Sequence, residues 1–99
     1  MEIERMDRKA LDDFEPLIGR TFEVRTADRK VALVLLEAIA IGSSSAPRSA
    51  FSLLFRGPAD SFLDQRTYTI EEASIGSLEM FLVPVGREEQ GFLYEAVFN

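Results

Sequence analysis

The sequence GSLEMFLVPV at residues 76–85 decides how the rest of this chain folds. Apolar side chains occupy both the even and the odd positions of this run, and Glu79 is its only charge. Because successive side chains point to opposite faces of a strand, such a run predicts a strand that is covered on both sides. The early position of Glu79 indicates that the first half of the strand meets water and the second half does not.

A second apolar run, at residues 92–98, follows the polar segment GREEQG at residues 86–91. Two apolar runs joined by a short turn that contains glycine are typical of a β-hairpin. The sequence therefore predicts that these two strands pair with each other.

Further segments carry the alternation of apolar and polar residues that marks a half-buried strand. They are residues 21–25, 31–41, 50–56 and 67–70. Residues 31–41 are ambiguous, because the tetrapeptide LLEA at residues 35–38 suits a helix equally well. The β-branched residues Val31, Val34 and Ile39 favour a strand.

Residues 7–14 predict a short helix with Asp7 as its cap. Pro16 is expected to end it, because a proline disfavours helical geometry at the preceding residue, Glu15. Two helical turns are too few to be stable alone, so this helix is expected to pack on the sheet.

The connections between these segments are polar. The serine-rich segment at residues 42–49 predicts a mobile loop, and residues 1–6 are expected to be flexible. Phe62 and Leu63 stand in an otherwise polar connection, and we expect them to plug one end of the core. No linker divides the chain, so residues 1–99 are expected to form one domain.

Together these segments predict a mainly β fold. About six antiparallel strands are expected to curl into a small barrel or roll, with one short N-terminal helix closing an end. Truncating a buried phenylalanine to alanine removes ~3–5 kcal/mol of stability, and we expect this of Phe55 and Phe81. The residues expected to be largely buried are Phe51, Phe55, Leu78, Leu82, Tyr94 and Phe98, with Phe14 packed on them from the helix.

Composition excludes several kinds of chemistry. The chain has no cysteine and no histidine, so it lacks disulfides, thiol nucleophiles, the usual zinc ligand and the usual base near neutral pH. Its net charge is −6, and residues 51–99 hold 3 basic and 8 acidic side chains, which would repel the phosphates of a nucleic acid. Apolar runs fall far short of the ~20 residues that span a bilayer. We therefore expect a cytoplasmic protein that binds neither nucleic acid nor membrane.

Carboxylates are the only abundant functional groups, and they form no recognisable site. Glu79, Glu95 and Arg56 lie on predicted strands, where a cross-strand ion pair is a commoner arrangement than an active site with two carboxylates. The adjacent carboxylates at residues 12–13 and 71–72 are expected to point apart rather than converge on a metal.

Tyr68 and Tyr94 are amphipathic, and such residues usually lie half-buried on a sheet with the hydroxyl in water. A binding role for them is the less common alternative. We therefore predict no catalytic, cofactor-binding or metal-binding residue, no cofactor and no enzymatic activity.

Four stretches of the chain carry a recognisable pattern: FEPLIG at residues 14–19 with Thr21 and Phe22, FSLLFRGP at residues 51–58, residues 76–86, and YEAVFN at residues 94–99. Together they resemble a family of short bacterial proteins known only as a domain of unknown function. Where that family usually has a turn like LPQG, this chain has LDQR at residues 63–66. The resemblance implies no catalytic residues, and it implies a setting near phage-tail-collar-like proteins.

The sequence thus predicts a non-catalytic protein-binding or assembly module, which the resemblance associates with a phage-tail-like particle. Its contact surface is expected to be a free sheet edge, the strand at residues 92–98, which would recruit a protein partner or a second copy. The alternative is a carrier of a small apolar ligand, in which the sheet closes around a cavity. A hollow interior favours the carrier, and a filled interior with an exposed edge favours the module.

Overall fold

The computed structural model describes residues 10–41 and 50–98. The predicted flexible residues 1–6, the Asp7 cap and the predicted loop at residues 42–49 lie outside this part of the chain. A helical segment consists of one α-helical turn, α1 (Leu11–Phe14), and one 3₁₀ turn (Glu15–Leu17). The strands are β1 (Thr21–Arg25), β2 (Lys30–Ala40), β3 (Phe51–Gly57), β4 (Arg66–Glu72), β5 (Gly76–Glu88) and β6 (Gly91–Phe98).

The six strands form one closed antiparallel barrel in the order β1-β2-β3-β6-β5-β4. The predicted hairpin of β5 and β6 is confirmed. Closure depends on β1 and β4, which pair over only three positions, residues 23–25 opposite residues 69–71. The mainly β fold of about six strands with a short N-terminal helix is therefore confirmed.

The ambiguous residues 31–41 are confirmed as a strand, β2. Leu35 lies opposite Phe55 and Glu37 lies opposite Leu54, so Leu36 is an extra residue that forms a β-bulge. The bulge shifts the alternation of inward and outward residues by one position. This shift explains why the local sequence also suits a helix.

Pro16 does not end the helical segment where we predicted. Glu15 keeps right-handed helical angles, φ −54° and ψ −43°, and the chain continues as the 3₁₀ turn through Leu17. A proline is tolerated in the first turn of a helical segment because its missing N–H has no partner to lose there. Upstream, Asp13 Oδ2 accepts a hydrogen bond of 2.8 Å from the Ala10 N–H.

Phe14 attaches this segment to the barrel, as predicted. Its ring centroid lies 5.8 Å from that of Phe51 and 5.6 Å from that of Phe98, and the rings of Phe51 and Phe98 stack 4.8 Å apart. Because one helical turn is unstable alone, these aromatic contacts hold it over the end of the barrel.

Apolar side chains fill the interior of the barrel. Within the part of the chain that the structure describes, seventeen apolar residues are buried, most of them on the strands, and a barrel of six strands is narrow enough for such side chains to fill it. Four members of the predicted core are buried, namely Phe51, Phe55, Leu82 and Tyr94. The other two members, Leu78 and Phe98, are partly buried and pack against that core.

Strand β5 is not covered on both sides, contrary to prediction. Its even residues from Leu78 to Leu82 face the interior, whereas Phe81 and Val85 are each 49% exposed. The prediction that the second half of β5 avoids water is therefore wrong. The prediction that Phe81 is a buried core residue is also wrong. The prediction failed because an outward-facing apolar residue gives the same sequence pattern whether or not another element of the fold covers it.

Leu63 plugs the end of the barrel opposite α1. It is buried, and its backbone N–H donates a hydrogen bond of 2.9 Å to the Tyr94 hydroxyl. Phe62 was expected to join this plug, but it is 45% exposed and lies edge-on to Phe92 at 5.0 Å. Nearby, a β-carbon on Gly91 would overlap a carbonyl oxygen of β3, so only glycine permits this close approach.

Among the described residues, no helix is long and apolar enough to cross a membrane.

Candidate functional site

The carboxylates do not converge on a reaction centre. Within residues 10–41 and 50–98, no group of three or more histidine, cysteine, aspartate or glutamate side chains is placed to hold a metal ion. Glu79 and Glu95 lie on β5 and β6 without facing each other, and Arg56 on β3 forms no ion pair with either of them. The cross-strand ion pair expected among these three residues is therefore not formed.

The adjacent carboxylates of Glu71 and Glu72 point apart, as predicted. Glu71 faces outward and accepts a hydrogen bond of 3.0 Å from Arg25 on β1. Glu72 faces inward and is 4% exposed. The two neighbours thus serve opposite faces of β4, as strand geometry requires.

Glu72 is a buried carboxylate that the sequence interpretation did not single out. Its Oε1 accepts hydrogen bonds from the Ser74 N–H (2.7 Å), the Ser74 hydroxyl (2.6 Å) and the Ile75 N–H (3.2 Å). Its Oε2 lies 3.6 Å from a guanidinium nitrogen of Arg20. An acidic residue two positions before a serine at a turn is the local signal for this arrangement.

Two opposing effects set the pKa of Glu72. Burial raises it, because the charged form loses hydration, but the hydrogen bonds from Ser74 and Ile75 and the charge of Arg20 outweigh burial. The pKa therefore lies below its ordinary value of 4.5. Since these contacts join the turn after β4 to the start of β1, the carboxylate stabilises the barrel rather than offering a reactive group.

Both tyrosines are buried, so the prediction that they lie half-buried on the sheet is wrong. The Tyr94 hydroxyl accepts the hydrogen bond from Leu63, and the Tyr68 hydroxyl donates one of 2.7 Å to the Asp64 carbonyl oxygen. Burial raises the pKa of Tyr68 and of Tyr94 above the ordinary value of 10.0, which keeps both hydroxyls protonated. Both residues thus hold the plug segment in place.

Arginine side chains line a shallow cleft of about 370 Å³, where β1 and β4 diverge. Arg29 donates hydrogen bonds to the Ser61 hydroxyl (3.0 Å) and to the Phe62 carbonyl oxygen (2.8 Å). Arg25 binds Glu71, as described above. These two guanidinium groups serve acceptors of the chain itself, whereas the third lining arginine, Arg66, forms no ion pair within residues 10–41 and 50–98.

The edge of β6 is not free, contrary to prediction. This strand pairs with β3 over seven positions and with β5 over five. Because β3 and β5 both pair with it, β6 lies between two other strands, and any contact surface involving it must be its outward face.

Exposed apolar side chains gather on one side of the barrel. Outward apolar residues lie on β5 at positions 81, 83 and 85, on β6 at Leu93 and Val97, and on β3 at Leu54, and the pairing brings them into neighbouring rows. Polar residues, including Arg56 and Glu95, stand between them. The cross-strand pairs Ser52–Val97 and Leu54–Glu95 belong to these rows. We call this surface the apolar outer face; its apolar members are Ile39 of β2, Leu54 of β3, Leu93 and Val97 of β6, and Phe81, Val83 and Val85 of β5.

The opposite side of the barrel is polar. All outward side chains of β1 and of the matching part of β4 are threonine, glutamate or arginine. We call this surface the polar outer face; its members are Thr21, Glu23 and Arg25 of β1, and Thr67, Thr69 and Glu71 of β4.

Fold and surface together define a small antiparallel β-barrel whose distinctive exposed feature is an apolar sheet face. The chain belongs to the family described as Domain of unknown function (DUF6916), whose sequence profile matches residues 10–98. The resemblance to a domain of unknown function is thereby confirmed. No curated protein and no solved structure matches the chain.

Proposed function

We propose that this protein is a non-catalytic binding module that recognises another protein through its apolar outer face. The supporting observation is the one-sided distribution of exposed apolar side chains on the barrel. Phe81, Val85 and Val97 are each about half exposed on this side, whereas the polar outer face carries no apolar side chain. Contiguous exposed apolar patches of this kind mark protein interfaces, because covering them removes apolar surface from water.

The absence of catalysis in this proposal rests on how the chain uses its titratable groups. Glu72 holds the turn after β4, and the tyrosine hydroxyls hold the plug segment. Acid–base catalysis needs a group that can exchange protons with a substrate in a cleft. These buried groups are bonded to the chain's own backbone instead.

A carrier of a small apolar ligand is the weaker alternative. Carriers need an enclosed cavity lined by apolar side chains. Here the bulkiest inward side chains, including Phe22, Phe55 and Tyr94, are fully buried in a closed barrel of six strands. This filled interior supports the module over the carrier. Titration with a fluorescent fatty-acid analogue separates the two, and we expect no saturable binding.

The setting of the module is a further part of the proposal. The resemblance described above implies a partner that belongs to a phage-tail-like particle, and the composition implies a cytoplasmic location. Identifying the partner in the capture experiment below tests whether it belongs to a phage-tail-like particle.

A matched pair of variants tests the contact surface. Val97→Lys places a charge in the apolar outer face, and Thr69→Lys places the same charge on the polar outer face, at another exposed strand position. We expect the full-length tagged protein to capture and cross-link a partner from its source cell. Capture should survive Thr69→Lys and be lost in Val97→Lys, because desolvating a lysine against an apolar partner is unfavourable.

Two outcomes would contradict the proposal. Capture that survives both Val97→Lys and Phe81→Lys would show that the apolar outer face is not the contact surface. Capture lost equally in Thr69→Lys would place the contact on the other side of the barrel. Thermal melting of each variant shows that the barrel remains folded.

A further inference from the structure

Charges within the apolar outer face restrict what can cover it. Its two central strands, β3 and β6, carry Arg56 and Glu95, and the flanking strands β2 and β5 carry the exposed Glu37, opposite Leu54, and Glu79. Arg56 and Glu95 both point outward from the neighbouring strands β3 and β6. Glu95 pairs with Leu54 and Arg56 pairs with Leu93, so the two charged residues are diagonal neighbours, offset by two residues along the strands. Both side chains are partly buried among the apolar members of the face. Neither forms an ion pair with another described residue.

A purely apolar partner would not suit this arrangement. Covering Arg56 and Glu95 with apolar atoms removes their hydration and supplies no opposite charge, which is strongly unfavourable. A suitable partner must therefore present one acid and one base within an apolar surface, at the spacing that these two residues have.

A second copy of the chain presents that pattern. When two identical faces meet about a two-fold axis, each surface patch contacts the same patch of its partner, so that residue i meets j and j meets i. Placing the axis between Arg56 and Glu95 brings the arginine of one copy onto the glutamate of the other, and the reverse. The apolar members around them then cover one another.

We propose that the apolar outer face is a self-complementary interface, through which two copies form a two-fold dimer held by reciprocal Arg56–Glu95 ion pairs. This inference rests on the proposed function and names the partner as a second copy of the chain. The face covers the width of only a few strands, so its area falls at the low end for stable complexes. We expect a dissociation constant of roughly 10–100 μM, with dimer dominant only at higher concentration.

Charge reversal tests the reciprocal pairing. Arg56→Glu places two glutamates opposite each other, and Glu95→Arg places two arginines opposite each other. In sedimentation velocity between about 5 μM and 1 mM protein, we expect each single reversal to weaken dimerisation at least about tenfold. The double variant Arg56→Glu/Glu95→Arg restores both pairs with their polarity exchanged, and its dissociation constant should return to within about threefold of the original. Thr69→Lys, on the polar outer face, should leave the dimer unchanged.

The outcomes separate this inference from the proposed function. A chain that stays monomeric at 1 mM, or a double variant that fails to restore dimerisation, overturns the second copy as partner. If a monomeric chain still captures a different protein in a way that Val97→Lys abolishes, the proposed function stands without the dimer. If a monomeric chain also captures nothing, both fail. Because Arg56 and Glu95 point outward, all variants should keep the melting temperature of the original chain within a few degrees, which verifies that they fold.

Discussion

The two outer faces of this barrel have the same backbone geometry and different chemistry. On β1, and on β4 from Tyr68 to Ile70, the inward residues are apolar and the outward residues are polar, which is the pattern that a half-buried strand requires. On β3, β6 and β5 the buried inward residues are also apolar, yet several outward residues are apolar too. Folding needs only the inward set, so the additional apolar side chains of one face serve something other than the barrel's own core.

The difference also separates stability from binding. The polar outer face shows that β1 and β4 pair and close the barrel without outward apolar residues of their own. The apolar outer face therefore exposes surface that a soluble monomer gains nothing by exposing, and that a partner would cover. Substitutions inside the barrel should lower stability, while substitutions on the outer faces should change association and leave stability nearly intact.

The largest expected effect compares the inside and the outside of the central strands. Phe55 is fully buried and its ring lies edge-on to that of Phe22 at 5.2 Å, so Phe55→Ala should lower the free energy of unfolding by ~3–5 kcal/mol. Phe81 is half exposed, and Phe81→Ala should change the free energy of unfolding by less than ~1 kcal/mol. Urea denaturation followed by circular dichroism measures both. Equal losses in the two variants would show that the outward face of β5 is covered in the monomer.

The two carboxylates at the end of β4 provide a second comparison. Glu72→Gln removes the charge from a buried acceptor of three hydrogen bonds and should cost ~1–3 kcal/mol at pH 7. Its neighbour supplies the control, because Glu71→Gln affects only a partly exposed ion pair with Arg25, which contributes at most ~1 kcal/mol.

The pH dependence of stability follows from the same carboxylate. Its pKa is lower in the folded chain than the ordinary value of 4.5, so the unfolded chain binds a proton first as the pH falls. The contribution of Glu72 is therefore present above pH 4.5 and is lost as the pH falls through the lower folded pKa. Urea midpoints measured from pH 7 to pH 3 should fall less steeply in Glu72→Gln than in the original chain, and parallel curves would contradict this assignment.

The two buried tyrosines allow a third comparison, with an expected loss of stability similar to that of Glu72→Gln. Tyr94→Phe leaves the buried N–H of Leu63 without an acceptor and should cost ~1–3 kcal/mol. Tyr68→Phe removes a donor to the carbonyl oxygen of Asp64, an exposed residue where water can replace the bond, so its cost should be smaller. Thermal unfolding compares the two variants directly, and a larger loss in Tyr68→Phe would reverse our account of the plug.

The smallest expected effect is on the stability of variants at the outer faces. Val97→Lys and Thr69→Lys both replace exposed strand residues and should each change the free energy of unfolding by no more than ~0.5 kcal/mol. Only the first should change association. A destabilisation of several kcal/mol in Val97→Lys would mean that this side chain supports the barrel instead of a contact surface.

Much of the fold could be predicted because strand patterns are local. The alternation around Phe51 and Phe55 identified β3 within one residue at each end, and residues 21–25 were predicted as they are found. Even β2 was predicted as a strand, although its bulge at Leu36 disturbs the alternation. The candidate surface was not predicted correctly, because the sequence placed the contact at the edge of β6 and counted Phe81 as core.

What the sequence determined by itself is therefore the set of strands, their inward residues and the exclusion of chemistry that needs histidine or cysteine, because these depend on residue type and short-range spacing alone. The tertiary structure decided what depends on contacts between distant segments. Pairing of β3 with β6 removed the predicted free edge, and pairing of β1 with β4 closed the barrel. Closure also left the outward residues of β5 in solvent beside those of β6, and it brought the Tyr94 hydroxyl to the N–H of Leu63. An apolar side chain carries no mark of whether a neighbour will cover it, and only the arrangement of the strands decides that.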